Sequence, residues 1–517
     1  MTDTRSSVRT KIVIVGGGTA GWLTAAYLAR ALGTPGGGVQ ITVVESPDIA
    51  IIGVGEGSFP TLRTTLSTLG VSEAAFCKAA DATFKQGVRF TGWAGRATPG
   101  HDTDDYMHVF DLPYGGDTPG LLPAWLATSG ANRPAFADAV TAQERVMRAG
   151  LAPKRPGDRD FEAPFNYAYH FDAPRLAGFL RDVAVAAGVE RIVATIGEVR
   201  QAGDGSIAAV VPQHGGAPIA GDLFVDCTGF SARLIGETLG SRFTPVDDIL
   251  FNDRALALQL PYERPDAPIA SYTHATAHGG GWIWDIGLSE RRGTGCVYSS
   301  RHMSDDEAER VLRGYAGAQA DGLNARLLKF RTGYRGTQWI GNCVAVGLSA
   351  GFFEPLESTG IMLIEVAARM IAEFAVNTDA ASLAAAARSY NKLMPARFAA
   401  IVEFLKLHYA ISRRRDTAYW RDNTDPATWP DGLIDKLAQW RRRLPSRFDF
   451  VVDHESFLPP NWQYILYGHG FETPAPAVEQ RALDAAYAAF GKVRQAQMQA
   501  VNALPAHRTL ITHLHQI

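Results

Sequence analysis

Hydrophobic and polar positions follow two rhythms along this chain, and their order predicts an α/β protein. Lys11-Ile12-Val13-Ile14-Val15 is a β-branched run of the kind that forms a buried parallel strand. A glycine-rich turn, Gly16 to Gly21, follows it. Trp22 to Leu32 then reads as a helix, with Leu23, Ala26, Tyr27 and Ala31 on its packed side and Arg30 near its C-terminal end, where a cation suits the dipole. After a Pro/Gly break at Pro35–Gly38, Val39 to Glu45 forms a second strand, so residues 11–45 make a βαβ unit, right-handed if both strands share a sheet. Further on, helical patterns cover Glu73–Lys85 and Ala173–Ala187. Strand patterns run from Ile192 to Val211, broken by a turn at Ala202-Gly203-Asp204-Gly205, and recur in Leu223–Gly229 and Asn342–Gly347. From Gly360 onward the chain is mainly helical, with aromatic-rich loops at Tyr419-Trp420 and Asn461-Trp462. Sheet-forming segments are scattered, so interleaved lobes are expected: residues 1–375 with insertions on the substrate side, and a largely helical lobe over 376–517.

Composition narrows the class. With 517 residues, 46% of them hydrophobic, the chain can bury a large core. A net charge of −3 with both signs well represented gives no basic stripe for nucleic acid and no polybasic arm for a membrane. Cys77, Cys227, Cys296 and Cys343 lie far apart, with neither CxxC nor zinc spacing, and read as buried thiols of a cytoplasmic protein without a metal site. No apolar run is long enough to span a bilayer, and Met1–Thr10 is short and polar.

The turn Gly16-Gly17-Gly18-Thr19-Ala20-Gly21 carries the first chemistry. Gly16 makes the tight turn, Gly18 lets the backbone approach a pyrophosphate, and Gly21 lets the helix pack close on the strand. The helix start offers free N–H groups and a positive dipole end to phosphate. Glu45, closing the second strand, is placed to accept ribose hydroxyls. Two distant strand ends, Asp226-Cys227-Thr228-Gly229 and Asn342–Gly347, favour FAD over NAD, because flavoproteins return late in the chain to close over the cofactor. The expected fold is a Rossmann-like FAD-binding module of the flavin monooxygenase type.

Several segments make the sequence resemble the flavin-dependent tryptophan halogenase family over most of its length. They are Gly53-Val54-Gly55-Glu56 with Pro60, Phe84-Lys85 ahead of a strand ending in Trp93, Phe353–Ile361, Phe404–Tyr409 and Tyr419-Trp420-Arg421-Asp422. The family's WxWxIP signature reads Trp282-Ile283-Trp284-Asp285-Ile286-Gly287, with glycine in the proline position.

The resemblance implies that reduced FAD, made by a separate NAD(P)H-dependent flavin reductase, consumes oxygen and a halide ion to give hypohalous acid. This diffuses inside the protein to a lysine beside an electron-rich aromatic substrate. Lys85 takes that role, and a primary amine is required because guanidinium is fixed in charge and weakly nucleophilic. Read locally, Lys85 also suits an ordinary i,i+4 ion pair with Asp81 on a helix. Glu357 is the second catalytic candidate, to orient the halogen donor and stabilise the cationic ring; Ser358 or Thr359 also suits the N-cap of the following helix. Backbone N–H groups at Thr359 and Gly360 make a halide site. Trp282 and Trp284 share a strand face; core packing is one role, a wall between flavin and substrate the other. Gly53, Gly55 and Glu56 are implied to strap the flavin. His108 and Phe110 are implied to line the indole pocket, a buried structural histidine being the alternative for His108.

The family members that use free tryptophan hold its charged end with a Tyr-Tyr and a Phe-Trp pair. Here that stretch reads Glu455-Ser456-Phe457-Leu458-Pro459-Pro460-Asn461-Trp462-Gln463-Tyr464, without either pair, so indole, a substituted indole or a larger indole compound is expected. A flavin-dependent aromatic hydroxylase is the nearest alternative and a non-catalytic flavin-binding protein the next; the Lys85, Glu357, Trp282/Trp284 set separates them from a halogenase. A homodimer is compatible with all three.

Overall fold

The computed structural model describes residues 10–33, 38–49, 55–98, 100, 102–116, 121–128, 133–374, 379–451 and 456–516. Gly53 and the 375/376 boundary lie outside them. Thr10–Val15 sits near the middle of a six-stranded sheet, whose order is Trp339–Ile340, Cys343–Ala345, Leu223–Asp226, Thr10–Val15, Val39–Glu45, Glu190–Val193. All neighbours are parallel except the first pair. The parallel arrangement explains the unbroken apolar runs: Ile12, Val13, Ile14, Leu223, Phe224 and Val225 face packed layers on both sides. The helix Thr19–Leu32 covers one face together with Ala173–Ala186 and Thr359–Phe374. It begins three residues before the expected Trp22, so its first turn includes Gly21 and lies directly on the glycine turn.

A second, mixed sheet of seven strands runs Arg326–Lys329, Arg254–Pro261, Arg291–Tyr298, Gly281–Gly287, Thr273–His278, Gly87–Thr91, Asp105–Val109. A small three-stranded sheet places Ala168–Asp172 between Gly55–Gly57 and Thr83–Lys85. That sheet sets Glu56 and Lys85 on strands flanking one shared partner.

The helical reading of Glu73–Lys85 is corrected here. The helix spans Glu73–Ala80 and ends at Asp81, which adopts the left-handed conformation with φ 50°. Thr83–Lys85 is a strand. The apolar positions 76, 80, 84 and 88 misled because a spacing of four keeps residues on one face of a strand as well as of a helix. The Asp81–Lys85 ion pair therefore does not form; Asp81 instead accepts hydrogen bonds from the backbone N–H and hydroxyl of Ser289.

Among the described residues after 379, the elements are helices: Ala380–Ala410, Ala418–Asn423, Asp431–Trp440, Pro459–Gly468, Gln480–Ala503 and His507–Gln516, with short 3-10 turns between. The last of them reaches back to the small sheet. His507 accepts the Phe84 N–H at 3.0 Å and its other ring nitrogen donates to the Ile269 carbonyl at 3.1 Å. Burial holds the His507 imidazole down at about 4, so it is the neutral, two-way bridge those bonds require. No helix among the described residues is long and apolar enough to cross a membrane.

Candidate functional site

The glycine turn has the geometry its sequence suggests. Gly16 sits at φ 116°, in the region glycine favours, and a side chain there would strike the Cys227 carbonyl. A Cβ on Gly21 would overlap the Gly16 oxygen, whereas one on Gly18 would meet nothing, so Gly18 faces open space at a helix start that has no side-chain cap. Gly347, at φ 74°, brings the late strand end against Ala20, where an added Cβ would lie 2.7 Å from the alanine methyl. The two distant strand ends do converge on the turn. Glu45 accepts the Trp22 indole N–H at 3.0 Å and pairs with Arg191, leaving its carboxylate fixed at the strand end. An uncapped, glycine-lined helix start with an acid beside it fits a dinucleotide. Asp226 serves differently: its carboxylate accepts the N–H groups of Thr228, Leu234 and Ile235 and the Thr228 hydroxyl, so it shapes the loop.

On the strand Gly55–Gly57, Gly55 packs so closely on Ile286 that a side chain would crowd it. Burial, with Asp172 nearby, pushes the Glu56 carboxyl up to about 7.

Lys85 is wholly buried at the end of Thr83–Lys85. Among the described residues, its ammonium makes one hydrogen bond, to Ser358 Oγ at 2.8 Å, and lies 5.5 Å from the centre of the Phe110 ring. Burial pulls its pKa from 10.5 to about 8, with the Glu357 carboxylate acting in the opposite direction. A depressed pKa alone does not mark a reactive amine here. Lys406 is pulled lower still, to about 7, mainly by burial, yet it is tied to the Ile249 carbonyl, to Asn423 Oδ1 and to the face of Phe251.

Ser358 turns the chain into the helix Thr359–Phe374 with φ 56°, a conformation that a non-glycine residue adopts at some cost. Its hydroxyl is directed to Lys85. Glu357, one residue earlier, is 2% exposed, and its Oε1 meets both His108 Nδ1 and His408 Nε2 at 2.9 Å. Burial opposes the charge, but the two imidazoles overcome it and hold the carboxyl down at about 2. Phe59, Phe110 and Phe457 form an aromatic group at this end, and Phe457 stacks on Phe404 at 3.8 Å.

Trp282 and Trp284 stand on Gly281–Gly287, 6.5 Å apart between ring centres. The Trp282 N–H donates to Glu354 Oε2 at 2.7 Å, and Glu354 also accepts from Asn252 and Tyr409. Gly287 accepts the Thr83 hydroxyl on its carbonyl, and a side chain there would crowd Ile269 and Tyr262.

The family resemblance points to Lys85, Glu357, His108 and Phe110, and the fold brings all four together. In sequence, Ser358 has only a capping role, and Glu354 and His408 have none. His408 lies within the Phe404–Tyr409 segment, but nothing in a linear pattern pairs it with Glu357.

Comparison with known proteins agrees with this geometry. The tryptophan halogenase family model matches residues 11–485. The chain is 39% identical over 516 residues to the 7-chloro-L-tryptophan 6-halogenase of Kutzneria sp. (strain 744), covering 96% of this chain and 98% of that one. The crystal structure of tryptophan halogenase from Shewanella frigidimarina NCIMB 400 superposes with a TM-score of 0.93 at 38% identity, over 98% of each chain. A flavin-dependent halogenase from Brevundimonas sp. BAL3 gives 0.85 at 33% identity, over 98% of this chain and 100% of the other. Relatives that agree over nearly the whole length favour halogenation over aromatic hydroxylation. The chain belongs to the tryptophan halogenase family, a flavin-dependent halogenase that uses FADH2 from a separate reductase, O2 and halide.

Proposed function

We propose that Lys85 is the residue that carries the halogen to the substrate and that Glu357 stabilises the ring during transfer. The observation that carries this reading is the buried Lys85 amine, hydrogen-bonded only to Ser358 among the described residues, with a pKa of about 8 and Glu357 nearby. At that value roughly a tenth of the amine is unprotonated at pH 7, far more than at the ordinary 10.5, and the free amine is the form that is nucleophilic toward hypohalous acid. Reduced FAD, when bound, would supply with O2 the chemistry that turns halide into hypohalous acid. Gly16, Gly18, Gly21 and Glu45 hold its dinucleotide part, Gly347 and Asp226 shape the closing loops, and Gly55 and Glu56 form the strap. Thr359 and Gly360 bind halide through backbone N–H groups at the start of a 16-residue helix. Trp282, fixed by Glu354, and Trp284 keep the organic substrate from the flavin.

His108 and Phe110 line the substrate side, and the substrate is indole or an indole compound rather than free tryptophan. Two polar groups in the stretch that would meet a charged amino-acid end are already engaged. Asn461 bonds His108 and the Leu458 N–H, and the Tyr464 hydroxyl donates to the Asp111 carbonyl. The four buried, unpaired cysteines suit a cytoplasmic enzyme.

The test is incubation with FAD, a flavin reductase, NADH, bromide and indole, with free hypohalous acid scavenged, followed by mass spectrometry. Brominated indole from the parent and none from Lys85→Ala is expected. Equal product from both would overturn the role of Lys85, and hydroxyindole alone would point to monooxygenation.

A further inference from the structure

We propose that His408 is a positioning residue for halogenation: with His108 it occupies one oxygen of Glu357, fixes the carboxylate, and leaves the other oxygen to meet the substrate. This rests on the reading of Glu357 given above.

The hydrogen bonds around the pair determine where protons sit. Asn461 Oδ1 accepts the Leu458 N–H at 2.8 Å, so its amide nitrogen faces His108 Nε2, at 2.9 Å, as the donor. His108 must therefore carry its proton on Nδ1 and donate it to Glu357 Oε1, as a neutral ring. His408 differs. Its Nδ1 faces the Phe404 carbonyl at 2.9 Å, an acceptor only, and its Nε2 faces Glu357 Oε1 at 2.9 Å. Two acceptors demand two protons between them, so Glu357 and His408 together hold one proton more than a carboxylate beside a neutral imidazole. Oε1 is thus taken twice, and no hydrogen bond among the described residues goes to Oε2.

Oε2 is the oxygen available when the halogenated ring carbon loses its hydrogen. The C–H electron pair returns to the ring and the proton passes to Oε2; the halogen has come from hypohalous acid by way of Lys85, the O–X bond breaking and the oxygen leaving as water.

The surroundings keep this arrangement in place. His408 is completely buried in the last turn of Ala380–Ala410, among the rings of Phe90, Trp93 and Phe404. The charged and titratable groups facing the pair are His108 and Lys85 toward Glu357, Glu354 and His469 toward His408, and the Tyr106 hydroxyl. Among the described residues only the imidazoles donate to Glu357, and Lys85 donates to Ser358 instead.

The variants are His408→Phe, which keeps a ring among rings, and His408→Gln, which keeps a neutral donor. Both are measured for thermal unfolding, FAD binding, kcat and KM for indole bromination, pH–rate profile, and the carboxylate infrared band that Glu357→Gln removes from the apoprotein. In the parent that band persists to the acid limit of the folded protein. In His408→Phe it disappears at higher pH, kcat falls by roughly tenfold or more with KM within about twofold, and an acid limb enters the profile. His408→Gln recovers part of kcat. An unchanged infrared titration and rate in His408→Phe, or in His408→Gln if the former does not fold, overturns the assignment. A parent that brominates nothing while the infrared shift still occurs sinks the reading of the reaction and leaves the proton arrangement standing.

Discussion

Glu354 and Glu357 lie three residues apart in one segment and are both buried, yet the fold treats them oppositely. Glu354 is surrounded by uncharged donors: the Trp282 indole, the Asn252 amide and the Tyr409 hydroxyl. Burial outweighs them and its pKa rises. Glu357 is met by two imidazoles, and its carboxyl is held at about 2 against the same burial. Depth alone therefore does not set a buried acid's charge. The nature of the donors does, because a neutral N–H offsets only part of the lost solvation while a shared proton or cation offsets far more. The first site suits holding an aromatic wall still, the second holding a negative charge beside a reacting cation.

The comparison breaks most visibly if the second site loses its charge. Glu357→Gln keeps the shape, and halogenation is expected to fall by about a hundredfold, with FAD binding unchanged. A fall of less than threefold in product per flavin oxidised would place Glu357 with Glu354 as a structural acid.

A sharper use of the same contrast concerns Lys85. Its folded pKa of about 8 lies below the ordinary 10.5, so the amine form gains population as pH rises toward 8 and saturates above it. If the free amine reacts, indole bromination normalised to flavin oxidation climbs about fifteenfold between roughly pH 6.5 and 8 and levels, about twofold higher, above roughly pH 9. A profile that declines through 8 would show the ammonium acting as a hydrogen-bond donor instead.

The smallest effect belongs to Glu354→Gln. The amide keeps one acceptor and turns a donor toward other donors, so unfolding should drop by a few degrees, while bromination stays within about threefold. Calorimetry and the bromination assay measure the two. A large loss of rate with no loss of stability would move Glu354 into the reaction.

How much of this was legible beforehand depends on the range of the forces involved. The strand Thr10–Val15, the turn after it, the helix Ala173–Ala186 and the hairpin around residues 202–205 follow from apolar runs and glycine, and each appears close to where the pattern put it. The stretch around Lys85 did not, because four-residue spacing serves two periods and Asp81, with its left-handed backbone, gives no glycine signal for the helix end. Ser358, also left-handed without being glycine, was equally silent.

The sequence by itself determined the cofactor-binding turn, since Gly16, Gly18 and Gly21 act through backbone freedom and close approach over six residues. It also determined which residue types were available for chemistry. The tertiary structure alone decided what Lys85 and Glu357 are. Lys85 is a buried amine on a strand that His507 bonds at Phe84, 423 positions away in sequence. Glu357 acquired its charge state from His108, 249 positions away, and His408, 51 positions away. Desolvation and buried hydrogen bonds depend on distance in space, and no local pattern records that distance.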